Sequence, residues 1–395
     1  MGRARAFGTV NVRPLRVGVI CDFLEEKWPS MDLIADMLLE NLQVYHPREV
    51  RAVPIRPRFV RRLSYVSARK DAFNADRVLN RFVDYPKFIR RLRNEFDIFH
   101  IVDHSYGHLV RHLPNRLSIV ICHDLDTFES VLEPDLRHRS SMFNAMTRQI
   151  LKGLQSAAVV SCDSFAIQKE ILAHRLVSAE RLVVIGNGVH PVFSPKDDPV
   201  YDRGIVRLIG WKSSSTDLLH VASTIPRKRI DVLLRVFAVV REKMPSARLI
   251  RVGGPFTKAQ KELVNKLRID DSVLVMPYLD RRSLAAVYRR AAMLLLPSEA
   301  EGFGLPVIEA MACGTPVVAS DIPALREAGG TAAEYCSVAD VAGWSKTVIA
   351  LAGERGERPL DWQERKNDGL RWAGRFSFRE QASRNVSIYR ELTAS

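Results

Sequence analysis

Apolar residues in this chain gather in short continuous runs instead of alternating with polar ones. In the first half the runs are LRVGVIC (15–21), VRAVPI (50–55), DIFHIV (97–102), LSIVIC (117–122), AAVVSC (157–162) and RLVVIG (181–186). Short, β-branched, unbroken runs of this kind are how strands covered on both faces of a parallel sheet read. Segments of helical period lie between most of them, at 32–44, 73–94, 139–155 and 164–175. Strand and helix alternating at this spacing imply right-handed crossovers and a doubly wound sheet. The pattern pauses over 190–216, which is rich in Pro, Gly, Ser and Asp and reads as a connection between lobes. It restarts with DLLHVA (217–222), ARLIRVG (247–253), SVLVMP (272–277), AAMLLLP (291–297) and TPVVAS (315–320). The expected class is α/β, with two successive Rossmann-like domains. In open α/β sheets ligands lie beyond the carboxyl ends of the strands, so the chemistry is expected there, in a cleft between the two lobes.

Composition agrees with two domains. At 395 residues the chain suits two lobes of roughly 150–200 residues each. Its 47% hydrophobic and 26% charged content is that of a globular protein. No run approaches the ~18–20 uncharged apolar residues of a membrane span. The opening MGRARAFGTVNVRP is basic, without the apolar segment of a signal peptide. Five scattered cysteines (Cys21, Cys122, Cys162, Cys313, Cys336) suit reduced core thiols in a cytoplasm and neither a disulfide framework nor a zinc site.

Charge changes the picture more. The formal net charge is +14, and residues 48–93 hold fourteen Lys/Arg against four acids, so that one segment carries +10. An anionic membrane surface or lipid-phosphate acceptor, a nucleic acid, and a plain solvated face all fit such a segment.

The stretch with most chemistry is PSEAEGFGLPVIEAMACGTPVVASDIPALREAGG, 297–330. A strand ends, a loop with Gly302 and Gly304 follows, and a helix is expected to start near Leu305–Pro306, where proline suits the first turn. Glycines let backbone N–H groups approach an anion, and the helix start adds its own N–H groups and positive dipole end. Glu301 precedes the loop and Glu309 follows eight positions later. A carboxylate beside a phosphate cradle accepts hydrogen bonds from paired sugar or ribose hydroxyls. From the residues alone, an exposed helix glutamate and a capping acid are equally compatible with the two positions.

The Glu-x7-Glu spacing inside EGFGLPVIEAMACGTPVVASDIPALRE resembles the signature of glycosyltransferase family 4, retaining enzymes of GT-B architecture. Weaker resemblance runs from the first strand through IGNGVHPVF (185–193) to the last helix. It implies an acceptor-binding domain over 1–195, a nucleotide-sugar domain over 196–375, and a final amphipathic helix, 376–395, packing back on the first domain. It further implies that Glu309 binds the ribose hydroxyls and Glu301 the C3/C4 hydroxyls of the donor sugar. The backbone of Gly302, Phe303, Gly304 and Leu305 would meet the sugar and its phosphates. LLHVASTIPRKRIDVLLRVFA (218–238) resembles the family's diphosphate clamp, with Lys228 at the clamp lysine. The usual arginine five residues earlier is Ser223 here, and Arg227 or Arg229 would have to stand in for it. Gly253 and Gly254 resemble the turn beside the nucleotide.

In the first lobe His123 resembles the family's active-site histidine. Asp22, Asp103, His104 and Tyr106 are the acceptor-side candidates, with His100 read as core or as a support behind the site. The loop 21–32 lacks the family's glycines. Asp124-Leu125-Asp126 spells Asp-x-Asp, but it lies in the lobe without the donor cradle, so neither a metal nor a cofactor is expected beyond the nucleotide-sugar co-substrate. The expected function is retaining transfer of a sugar from a GDP-mannose or UDP-hexose type donor to a glycan or lipid-linked acceptor in cell-surface polysaccharide synthesis. The expected setting is the cytoplasm, with a peripheral membrane contact through 48–93 and no nucleic acid. A GT-B-like epimerase or phosphorylase, and a non-catalytic basic scaffold, are the rival readings.

Overall fold

The computed structural model describes residues 13–67, 69–114, 117–135, 138–210 and 215–394. The basic opening segment, where a leader would stand, lies almost wholly outside the described residues. The chain divides into two compact units: Met1–Cys162, Gln168–Ile185 and Arg379–Ser395 form the first, and Asp163–Ile167 with Gly186–Phe378 the second.

The first unit carries strands β1 (Leu15–Ile20), β2 (Val50–Ile55), β3 (Ile98–Ile101), β4 (Ser118–Cys122), β5 (Val159–Cys162) and β6 (Leu182–Val184). They form one parallel sheet in the order β2-β1-β3-β4-β5-β6. The second unit carries β7 (Thr216–Val221), β8 (Ala247–Val252), β9 (Val273–Met276), β10 (Met293–Leu296), β11 (Val317–Ser320) and β12 (Glu334–Cys336). These are again all parallel, in the order β12-β11-β10-β7-β8-β9. Both are doubly wound sheets, the second with the dinucleotide-fold order and the first with the flavodoxin-like order. Each sheet therefore has one place where successive crossovers leave in opposite directions. In the first it lies between β1 and β3, in the second between β7 and β10. Loops leaving the carboxyl ends there diverge and open a crevice.

The strands are as apolar as the sequence requires of a sheet covered twice. Val17, Val19, Ile98, Ile101, Ile119 and Val120 are fully buried in the first, and Leu218, Leu219, Leu294 and Leu295 in the second. The helix Phe378–Ala394 runs into the first unit, where Ala382, Val386 and Tyr389 join the core of β1 and β3. The Tyr389 hydroxyl lies 2.7 Å from His100 Nδ1, and burial drives that imidazole down to about 3, so His100 is a neutral core histidine.

Two elements differ from the sequence reading. The segment taken as a connection contains a ten-residue helix, Pro199–Leu208, opened by proline in its first turn. Its Pro and Asp content reads as loop, yet Asp202 is buried and paired with Arg289 at 2.9 Å, and Ile205 and Ile209 enter the core of the second unit. The edge strand β12 has the sequence EYC, with no β-branched residue to betray it.

Breaking a buried ion pair from one side leaves a charge without a partner, which typically costs about 3–5 kcal/mol. Both members of Asp202–Arg289 are about nineteen-twentieths buried. Asp202→Ala is therefore expected to lower stability in urea by about that amount; a loss too small to measure would show the helix is not anchored there.

Candidate active site

The crevice of the second sheet is built by the loop after β7 and the loop after β10. Backbone pairing fixes their spacing, because the Glu299 N–H donates to the Arg227 carbonyl at 2.9 Å. One turn, Pro226–Lys228, aims Lys228 across at the second loop, and its Nζ lies 2.6 Å from both oxygens of Glu301. Arg227 joins them: its Nη1 donates to the Ala300 carbonyl at 2.8 Å and lies 3.5 Å from Glu301 Oε2. Arg229 does not, because its left-handed backbone (φ 47°) turns the side chain to Asp231 and Glu299. Of the two arginines that could stand in for the one missing at Ser223, only Arg227 reaches this cluster.

The Glu301 and Lys228 side chains are 8% and 14% exposed. Burial alone would raise the Glu301 carboxyl, but the charges of Lys228 and then Arg227 outweigh it and hold the group below its ordinary value. Glu301 is thus an ionised carboxylate held by cations.

From Glu301 the chain passes Gly302, whose carbonyl accepts the Ser164 hydroxyl at 2.7 Å, and buried Phe303, edge-on to Phe376 at 5.7 Å. Gly304 has φ 105°, and a Cβ there would lie 2.7 Å from Leu325. Only glycine permits this bend. The helix Leu305–Ala312 starts immediately after it, with proline in its first turn and Leu305 half-buried. Glu309 points inward and accepts a hydrogen bond from the Tyr288 hydroxyl at 3.0 Å. Burial raises its carboxyl to about 7, since Tyr288 and the more distant Arg281 offset only part of the desolvation. Gly253 (φ 129°) and Gly254 (φ 91°) follow β8, and a Cβ at Gly253 would overlap the Ala222 carbonyl oxygen. That turn lies directly against the loop after β7.

In the first unit the crevice loops bring Asp22, after β1, to Asp103, after β3. Both are buried. Asp103 accepts from the Ser105 N–H at 2.7 Å and the Ser105 hydroxyl at 2.5 Å. Burial would raise it, but His104, the Asp22 proton, Ser105 and Arg81 together hold it near 2. Asp22 goes the other way, raised well above the ordinary carboxylate value by burial and then by the Asp103 charge. His123 Nε2 lies 2.7 Å from the Val102 carbonyl, which can only accept, so Nε2 carries the hydrogen. The backbone N–H of His123 in turn donates to His104 Nδ1 at 3.3 Å, leaving Nε2 of His104 to bond Thr127 at 3.1 Å. Tyr106 is buried under Arg81, whose guanidinium stands 4.2 Å over its ring. Asp124 lies 3.7 Å from His104, and Asp126 donates its N–H back to Asp124, a local turn. Among the described residues no group of three or more His, Cys, Asp or Glu is placed to hold a metal ion.

Sequence reasoning missed Tyr288, Arg251, His220, Arg81 and Glu26. His220 and Arg251 sit on strands whose apolar pattern hides them, Tyr288 lies on the arginine-rich helix Arg281–Arg290, and no spacing ties any of them to the loops they meet. Arg81 and Glu26 lie at the crevice of the first unit, 3.6 Å apart, and read as ordinary surface charges.

The fold is shared with solved proteins. The sucrose-phosphate synthase of Thermosynechococcus elongatus superposes with a TM-score of 0.74 at 18% identity, covering 96% of this chain and 99% of that one. HepE of Anabaena, solved with UDP and glucose, gives 0.70 at 16% identity, covering 95% and 99%. Likeness at this identity shows the architecture, GT-B. Among curated relatives, a D-inositol 3-phosphate glycosyltransferase of Mycobacterium sp. (strain KMS) is 32% identical over 212 residues, half of this chain and 46% of that protein. An MMP α-(1→4)-mannosyltransferase of Mycolicibacterium hassiacum is 30% identical over 259 residues, 64% of this chain and 58% of that one. The chain thus spans about half the length of the curated relatives it matches. The family description Glycosyltransferase Family 4 matches residues 41–193, and Glycosyl transferases group 1 matches 207–351. With both halves matched and the GT-B architecture around them, the chain belongs to glycosyltransferase family 4.

Proposed function

We propose that this chain is a retaining glycosyltransferase that moves a hexose from a nucleoside-diphosphate sugar to a glycan or lipid-linked acceptor of cell-surface polysaccharide synthesis. The observation that carries this reading is the Lys228–Glu301 pair at the β7/β10 crevice, one glycine bend before a helix start that buries Glu309. Such a crevice is where open α/β sheets bind nucleotides. The complex of HepE with UDP and glucose, and the mannosyl transfer named for the Mycolicibacterium relative, support a hexosyl donor.

In this reading Glu301, already ionised, accepts hydrogen bonds from the donor sugar's hydroxyls, and Glu309 accepts from the ribose. The diphosphate lies against Lys228, Arg227 and the helix start after Gly304. The bond from the anomeric carbon to the diphosphate oxygen breaks as the acceptor oxygen bonds that carbon on the same face. The acceptor proton passes to the leaving diphosphate. Lys228 and Arg227 stabilise the charge that grows on that oxygen, which is the kind of electrostatic contribution that weighs most in such steps. The Asp22–Asp103 pair, His104 and Tyr106 are acceptor-side groups of the first unit, and His123 is its catalytic histidine. No metal or cofactor takes part.

The setting we propose is the cytoplasmic face of an anionic membrane. Buried Asp76 accepts from the N–H groups of Arg62, Leu63 and Ser64 and from the Ser64 hydroxyl, at 2.6–2.9 Å. Buried Asn80 binds both the N–H and the carbonyl of Val60 at 2.8 Å. This firm base presents Tyr65 and Val66 to solvent, 84% and 87% exposed, among exposed Arg58, Arg61, Arg69 and Lys70. Apolar residues ringed by cations fit a bilayer with acidic headgroups. Other cations of the segment are already paired, Arg56 with Asp32 and Arg62 with Asp84. Among the described residues no helix is long and apolar enough to cross a membrane.

The donor reading is tested by thermal shift with UDP, GDP and ADP, followed by turnover of the matching sugar nucleotide with acceptor glycans. One nucleotide is expected to raise the melting temperature by mass action. Glu309→Ala is expected to weaken donor binding, and Glu301→Ala mainly to slow transfer. Wild-type kinetics in both variants would remove the site assignment; nucleotide release without any acceptor would favour the rival enzymes.

A second outcome follows from the raised Glu309 carboxyl. Ribose hydroxyls stabilise its ionised form, so donor binding must expel its proton below pH 7 or so. Affinity for the sugar nucleotide is expected to rise with pH from 6 towards 8, by up to about tenfold per unit, and to be flat in Glu309→Gln. A flat profile in the wild type would contradict ribose binding at Glu309.

For the membrane, Tyr65→Ser with Val66→Ser is expected to cut co-sedimentation with phosphatidylglycerol vesicles severalfold. Neutralising Arg58, Arg61, Arg69 and Lys70 should do the same. Unchanged sedimentation in both would refute the contact.

A further inference from the structure

Ser223 leaves the loop after β7 one cation short of the clamp its family resemblance implies. The structure holds another cation directly beneath that gap. Arg251, the penultimate residue of β8, is fully buried. Its guanidinium donates to the carbonyl of Ala222 at 2.8 Å, the residue immediately before Ser223. It also donates to the carbonyl of Gly253 at 3.2 Å and to that of Gly254. One planar group thus ties together the two backbone turns that follow β7 and β8.

Three observations point beyond a structural brace. First, Arg251 has no carboxylate partner among the described residues, and a buried charge without a counter-ion is costly. Carbonyl dipoles solvate the guanidinium but do not neutralise it. Its Nε finds no acceptor. Second, its register neighbour on β7 is His220, fully buried with neither ring nitrogen hydrogen-bonded. Burial, and after it the charges of Arg251 and Lys228, keep this imidazole neutral, so both cations act on one spot at the carboxyl end of β7. Third, holding the Ala222 carbonyl inward turns the N–H of Ser223 the opposite way, because a trans peptide sets the two antiparallel. A positive field and an outward N–H then coincide at the place where the resemblance expects an arginine.

We propose that Arg251 is a positioning residue for the donor's diphosphate: it supplies, from below the loop, the second positive charge that Ser223 cannot, and fixes the peptide that faces the anion. Bound diphosphate is the missing counter-ion of this buried guanidinium. The inference rests on the nucleoside-diphosphate reading of the same site.

The test is a charge-exchange series measured by calorimetry with the nucleoside diphosphate that stabilises the wild type, and with its uncharged nucleoside. Arg251→Gln is expected to weaken the diphosphate at least tenfold and the nucleoside little. Adding Ser223→Arg to Arg251→Gln should recover most of that loss, which a purely structural role would not allow. If Arg251→Gln does not fold, Arg251→Lys replaces it; retained preference for diphosphate over nucleoside is then expected, since the charge persists without the threefold brace. Unaltered diphosphate affinity in Arg251→Gln, an equal loss for the nucleoside, no recovery in the double variant, or loss of the preference in Arg251→Lys each overturns the proposal. A wild type that binds no nucleoside diphosphate would instead overturn the donor reading itself.

Discussion

The contact on which the candidate donor site depends is the bond between Lys228 and Glu301, reaching from the loop after β7 to the loop after β10. These loops are neighbours only because the sheet order places β7 beside β10, while the chain visits β8 and β9 in between. The crevice is thus a consequence of topology, and the ion pair occupies it. A nearly buried lysine and glutamate are costly to desolvate, and their attraction repays that cost only with good geometry. Here both carboxylate oxygens are engaged, the Arg227–Glu299 backbone bond sets the loop spacing, and Arg227 adds a second cation. The pair stores a positive and a negative group at one point, each able to turn to an arriving ligand.

Two glutamates eight residues apart then take opposite protonation behaviour from their surroundings. Glu301, among cations, is held ionised; Glu309, among apolar side chains with a single tyrosine hydroxyl, is pushed to about 7. Pairs of titratable groups driven apart by environment are a mark of sites that do chemistry. The physical reason is the Gly304 bend, which puts Glu301 on the polar loop side and sends Glu309 inward on the helix.

Much of this was legible in the sequence. Eleven of the strands lie where unbroken apolar runs stand, because a strand covered on both faces has no polar face to interrupt it. The bend and helix start at Gly304–Leu305 could be read from Gly and Pro chemistry. What could not be read is long-range. β12 is too short and too polar in composition to announce itself, and the Pro199–Leu208 helix hides behind loop-like residues that Arg289 and the core hold in place. Only the pairing of β7 with β8 and the packing of the helix Arg281–Arg290 reveal what His220, Arg251 and Tyr288 face. The choice between Arg227 and Arg229 likewise turned on a backbone angle that no residue type dictates.

The first unit obeys the same topological rule with different chemistry. Its crevice, between β1 and β3, gathers Asp22, Asp103 and Glu26 with Arg77 and Arg81. Burial and the Asp103 charge raise the Asp22 carboxyl, and Glu26 sits by Arg77 and Arg81. The glycine-free loop after β1 still makes a left-handed turn, at Lys27 (φ 56°), so it reaches the required shape at the strain a side chain brings to that region.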